Sequence, residues 1–229
     1  MATRTDSQGR TDDILNEKCW YKEVCQYRQC AGCIRFTEMN YLMQNSNIPA
    51  AKQKPIQLIP TTTNDKKMFK ELASIKDNIV DFVDNGSNLY IASKSTGNGK
   101  TSWSLKLVLK YFDSIWAGNG LRVRGLFIHV PTLLLQLKDF NNPVSSQFKK
   151  NLENCDLIVW DDVASTELSN YDYSQLLTYI DSRIMNERSN IFTGNLTTKE
   201  QITQVLGERL ASRIFSNSKV IILDGKDRR

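Results

Sequence analysis

The stretch Ile91–Ser104 reads IASKSTGNGKTSWS. An apolar strand ending, a turn with two glycines and then Gly99-Lys100-Thr101 opening a helical run make the arrangement of a phosphate-binding loop. Gly97 and Gly99 let successive backbone N–H groups curl around phosphate oxygens, in a conformation that a Cβ disfavours. The helix that follows points its partial positive charge at the same place. Lys100 has the reach to meet the β- and γ-phosphates of a nucleotide, and Thr101 carries a hydroxyl suited to Mg2+. Asn98 and Ser102 complete the stretch that would enclose the phosphates. The pattern GxxxxGK[ST] has Gly where this chain has Lys94, a departure that touches the start of the loop and not its phosphate-facing part. The plain alternative is a glycine turn before an ordinary helix.

Three further segments extend the reading. LIVWDD, Leu157–Asp162, is a buried apolar strand that delivers two acids at its C-terminal end, where open α/β sheets bind ligands. Asp161 is the candidate Mg2+ ligand and Asp162 the group that orients the attacking water. Asp is one methylene shorter than Glu at this second place, so slow or assembly-dependent hydrolysis is expected. IFTGN, Ile191–Asn195, ends another strand in polar residues; Asn195 is the candidate for sensing the γ-phosphate or the lytic water, with Thr193 the weaker one. In LGERLASRIF, Leu206–Phe215, Arg209 and Arg213 are four apart and share a helix face. From spacing alone a solvated pair, or a contact with Glu208, is the simpler reading.

Around these segments strands alternate with helices. Strands are expected at 88–93, 126–130, 156–160, 191–193 and 220–223. Helices are expected at 67–85, 101–112, 132–140, 147–151, 171–187, 198–206 and 208–215. The alternation predicts an α/β fold, a parallel sheet with helices on both faces. Residues 44–66 hold Pro49, Pro55 and Pro60 among Asn, Gln, Lys and Thr, and read as an extended linker. The expected organisation is a module at 1–43, the linker at 44–66 and the main domain at 67–229.

Composition bounds the rest. Of 229 residues 40% are hydrophobic and 24% charged, which is globular chemistry. No run reaches the roughly 18 apolar residues that span a bilayer, and MATRTDSQGRTDD lacks an apolar signal core, so a cytoplasmic protein is expected. Thirty Lys and Arg against 25 Asp and Glu give a net charge of +5, which permits an anionic partner. The single histidine, His129, ends an apolar strand and reads as a core or boundary residue. Cys155 reads as core. Trp103, just after the loop, reads as packing.

Cys19, Cys25, Cys30 and Cys33 have the spacing C-x5-C-x4-C-x2-C. Without a secretory signal, such clustering favours metal over disulfides. Four thiolates suit tetrahedral Zn2+, whose binding would supply the folding energy that so short a segment lacks. An Fe–S cluster is the other metal reading, and four unligated thiols the plain one.

Taken in this order, TGNGKTS (96–102), GLFIHVPTLLLQLK (125–138), LIVWDD (157–162), FTGN (192–195), LGERLASRI (206–214) and VIILDGKDRR resemble the AAA+ ATPase core. More narrowly they resemble the bacterial and phage replicative helicase loaders of the DnaC/DnaI type, with the IstB transposition ATPases as close relatives. The resemblance covers roughly residues 68–229. It implies an ATPase with ATP and Mg2+ at subunit boundaries of an oligomer, Lys100 and Thr101 on the phosphates, Asp161 and Asp162 as the paired acids, Asn195 as sensor and Arg213 as an arginine finger assisted by Arg209. It implies partners too: a hexameric replicative helicase, gripped by an N-terminal zinc module, and single-stranded DNA. The chain stops about fifteen residues after Arg213, so no C-terminal lid is expected, and Arg228 and Arg229 read as exposed tail charges. An IstB-like ATPase acting on duplex DNA and a non-hydrolysing adaptor are the alternatives.

Overall fold

The computed structural model describes residues 34–53, 57–115, 120–139, 141, 143–165, 168–225 and 227. In chain order the elements are α1 (Ile34–Asn45), a 3-10 turn (Ala50–Lys52), α2 (Thr63–Asp77), α3 (Ile79–Asp84), β1 (Asn88–Ala92), α4 (Lys100–Ser114), β2 (Gly125–His129), α5 (Val130–Lys138), α6 (Ser146–Asn154), β3 (Leu157–Asp161), α7 (Asn170–Met185), β4 (Ser189–Gly194), α8 (Lys199–Leu206), α9 (Glu208–Ile214) and β5 (Ser218–Ile222). The five strands form one sheet in the order β2-β3-β4-β1-β5, with every pairing parallel.

Successive side chains of a strand face opposite ways, so each strand feeds two cores. On one face Tyr90, Leu126, Ile128, Ile158, Trp160 and Phe192 pack with residues of α5 and α7–α9. On the other, Leu89, Ile91, Phe127, Val159 and Ile191 pack with α1–α4. Strands buried on both faces need continuous apolar runs, which is why NLYIA and LIVWD show no polar alternation.

Local chemistry sets the helix ends. The Thr62 hydroxyl accepts from Asp65 N at 2.9 Å and starts α2 four residues before the apolar periodicity announces it. The helix expected over 67–85 is two helices, α2 and α3, broken at Asn78. The Asn78 amide donates to Ser74 O at 2.9 Å, so its side chain competes for the carbonyl that its own backbone N–H uses.

The segment expected to be a linker lies partly against the core. Ile48 is buried with Leu42 of α1, and Phe127 N donates to Ser46 O at 2.7 Å, covering the outer edge of β2. Cys19, Cys25, Cys30 and Cys33 lie outside the described residues, as do Arg228 and Arg229. Among the described residues no helix is long and apolar enough to cross a membrane, and no group of His, Cys, Asp and Glu could hold a metal ion.

At the N-terminal ends of the strands lies a polar hub. Arg183 of α7 is fully buried and donates to Leu152 O (3.1 Å), Cys155 O (2.8 Å), Ser189 O (2.7 Å) and Asn190 Oδ1 (2.8 Å). Beside it Asp156 accepts from Tyr111 (2.9 Å), Arg122 (3.0 Å), Arg188 (3.1 Å) and Arg124. Burial pushes the Asp156 carboxyl up, but Arg124, Tyr111 and Arg122 together hold it below the ordinary carboxylate range. Cys155 is buried as expected, its thiol pushed up by burial.

Arg183→Leu leaves several buried acceptors without a donor. It is expected to destabilise the chain by about 3 kcal/mol or more, read as a fall in the urea unfolding midpoint; a change below about 1 kcal/mol would show that water replaces the guanidinium there.

Candidate nucleotide site

β1 ends at Ala92, and the loop 94–99 carries the chain into α4. Gly97 (φ 72°) and Gly99 (φ 95°) both take left-handed backbone, so the two glycines stand where the turn needs them. Gly99 is the N-cap of α4 and supplies no side-chain acceptor. The first N–H groups of the helix therefore face the loop, as an anion site requires. Lys100 is buried at 7% exposure, and its ammonium donates to Ser95 O at 3.1 Å inside the curl of the loop. Ser102 lies in the first turn of α4.

The strand order decides what meets this loop. β4 lies between β1 and β3, so the ends of three strands converge. Asp161, 2% exposed, receives two hydroxyls on one oxygen: Thr101 donates to Oδ1 at 2.8 Å and Thr193 at 2.7 Å. Thr193 Oγ1 also accepts from Asp162 N at 3.1 Å, and Val163 N donates to Thr193 O. Asp161 thus ties the phosphate-loop helix to the acidic strand, and Thr193 ties β4 to the same carboxylate. Asn195 lies past the end of β4 and is exposed. Of the two candidates on this strand, Thr193 is the one in contact.

Asp162 sits in left-handed backbone at φ 60°, a conformation rare for residues other than Gly, Asn and Asp. Burial and then the neighbouring Asp161 push its carboxyl up; the cations His129, Lys100 and Lys52 oppose this. His129 Nε2 is 3.8 Å from Asp162 Oδ2, and its Nδ1 is 2.8 Å from Thr132 Oγ1. The histidine is thus exposed at the site rather than buried in the core. β2 and β3 pair with His129 opposite Asp161, and a polar residue ending the strand beside an acidic one was the signal available.

The remaining candidates lie apart. Asn98 is fully buried, and its side chain donates to Gly225 O at 2.7 Å. Arg213 donates to Asp181 of α7, with Arg209 3.9 Å from the same carboxylate. Neither contacts Glu208. Trp103 is packing, edge-on to Phe69 at 5.0 Å.

The hydroxyl and carboxylate oxygens of Thr101 and Asp161, which meet at 2.8 Å, are the donor chemistry of a hard cation such as Mg2+. Asp161 and Thr101 are its candidate ligands, and the Ser95 carbonyl occupies the ammonium that a phosphate would take.

A family model described as IstB-like ATP binding protein matches residues 35–227. Among solved structures, a DnaC helicase loader superposes with a TM-score of 0.62 at 21% identity, over 72% of this chain and 93% of that one. A DnaI structure gives 0.61 at 17% identity, over 80% and 94%. A putative primosome component from Streptococcus pyogenes serotype M3 gives 0.61 at 14% identity, over 80% and 93%. At such identities the likeness is one of fold. No curated protein matches the chain.

Asp162→Asn removes a carboxyl whose ionised form the fold disfavours, and Asn tolerates the same backbone. A raised carboxyl leaves stability intact below about pH 4 and withdraws it as pH rises through the folded value. Asp162→Asn is therefore expected to unfold at a higher temperature than the parent at pH 8, with the difference shrinking toward pH 4. A variant no more stable than the parent at pH 8 would refute this.

Proposed function

We propose, for a chain that belongs to the IstB-like ATP binding protein family, that it is an ATP-hydrolysing loader of a hexameric replicative helicase. The observation that carries the ATPase part is the meeting of Thr101, Asp161 and Thr193 under Lys100. Backbone N–H groups at Gly97–Thr101 bind the phosphates, and Lys100 leaves Ser95 O to meet them. Thr101 and Asp161 would hold Mg2+, which would supply neutralisation of phosphate charge. Asp162 orients the attacking water and takes its proton, with His129 beside it to accommodate the charge. Asn195 and Thr193 hold the far side of the water. Arg213 serves the nucleotide of a neighbouring subunit, with Arg209 assisting; in the single chain Asp181 holds both arginines.

The loader part rests on the fold shared with DnaC and DnaI structures and on the GER…SRI block. Single-stranded DNA is the nucleic-acid partner in this reading, and the basic balance of the chain supports phosphate contacts. The cysteine segment is the helicase-gripping module and binds Zn2+. The other reading compatible with the IstB-like family is an ATPase of transposition acting on duplex DNA.

The test is ATP turnover by the intact chain, alone and with single-stranded DNA and a replicative helicase. Turnover is expected to rise with both, and the helicase to co-purify. Stimulation by duplex DNA only, without helicase, would favour the transposition reading, and no turnover at all would leave an adaptor. Lys100→Ala is expected to bind no ATP while unfolding within a few degrees of the parent; normal affinity would overturn the phosphate assignment. Metal analysis of the intact chain is expected to find about one zinc per chain, and a metal-free chain would remove the zinc module.

A further inference from the structure

The outer wall of the phosphate loop is built from two pieces of chain that are distant in sequence. One precedes and opens α2; the other follows β5. Leu223 N donates to Ala92 O at 2.8 Å and continues the sheet past the end of β5. Thr62 then donates to Asp224 Oδ1 at 2.6 Å. Gly225, also buried, is held on both sides of its residue: its N–H donates to Asp65 Oδ1 at 3.2 Å, and its carbonyl accepts from the Asn98 amide at 2.7 Å. Next, the Asp227 carboxylate lies against Gly97, where an added Cβ would fall 1.8 Å from Oδ1. Leu58 covers Gly99 in the same way, 3.1 Å from where a Cβ would be. Three consecutive loop residues, Gly97, Asn98 and Gly99, are thus each backed by one of the two pieces.

Asp65 joins them. It is fully buried in the first turn of α2, and its other oxygen, Oδ2, accepts from Thr61 N and Thr61 Oγ1, both at 3.2 Å. A buried carboxylate stays in place only where donors surround it. These donors come from the segment before α2 and the segment after β5. The chain of contacts Asp65–Gly225–Asn98 therefore reaches from the helix that opens the domain to the middle of the phosphate loop.

A loop with two left-handed glycines has many conformations open to it, and ordering it on binding costs affinity. We propose that Asp65 is a positioning residue for the nucleotide: through Gly225 and the Asn98 side chain it holds the phosphate loop in the curled form that receives phosphates. This rests on the nucleotide reading above and adds to it a residue that lies in none of the motifs and touches no phosphate-facing group. It also assigns the Asn98 side chain to shaping the loop.

The test uses the full chain and the variants Asp65→Ala, Asn98→Ala and the pair. Without nucleotide, both single variants are expected to speed amide exchange in residues 94–99 and 223–227. With Mg-ATP, each is expected to weaken binding about tenfold, the loss of one buried hydrogen bond. Because one chain of contacts carries both effects, the double variant should bind about as well as either single one. Independent, multiplying losses would overturn the proposal. So would an Asp65→Ala chain that melts lower but, below its melting range, binds ATP as the parent does, since that is a purely structural role. If Asp65→Ala does not fold, Asn98→Ala carries the test alone: parental ATP affinity with unchanged exchange in residues 94–99 overturns the proposal. A parent chain that binds no ATP would refute the nucleotide reading, and the exchange measurement would still decide on the clasp: unchanged exchange in the loop overturns it.

Discussion

A single carboxylate oxygen organises this molecule. Asp161 Oδ1 receives Thr101 from the phosphate-loop helix and Thr193 from the strand between. These hydrogen bonds are made in a nearly dry place, where a charged acceptor is strongly held by its donors and costly to leave alone. They fix the separation between the loop and the acidic strand. The parallel sheet exists, functionally, to bring three C-terminal strand ends to this point.

The two ends of the sheet solve opposite problems. At the N-terminal ends, Arg183 satisfies the carbonyls of Leu152, Cys155 and Ser189, and the arginines around Asp156 satisfy its buried charge. At the C-terminal ends, charges are left at odds: Asp162 sits beside Asp161 in left-handed backbone, and burial raises its carboxyl. Such local conflict is held in place by the surrounding structure, and it is a common property of sites that do chemistry. The opposition of His129, Lys100 and Lys52 keeps the conflict moderate.

The phosphate loop has a second support, on its outer side. Glycines that give a loop the shape to bind phosphate also give it the freedom to lose that shape. The segments around Leu58 and Gly225 limit that freedom by packing where any side chain on Gly97 or Gly99 would stand. Asp181 plays a comparable part for Arg213, holding a long cationic side chain by a hydrogen bond to its carboxylate.

The sequence by itself determined the fold class, because apolar runs without alternation can only be strands buried on both faces, and glycines before Lys100-Thr101 have few other uses. It marked Asp161 as a candidate, at the end of such a run. It misjudged the helix over 67–85, because the competition at Asn78 is a local hydrogen bond that periodicity does not register. The tertiary structure alone decided that Thr193 rather than Asn195 meets the acid, that His129 stands beside Asp162, and that Asp65 backs the phosphate loop from 160 residues away in sequence from Gly225. The physical reason is the same in each case. Which strand lies beside which is set by how whole faces pack, and only that order tells a hydroxyl or a carboxylate which partner it will find.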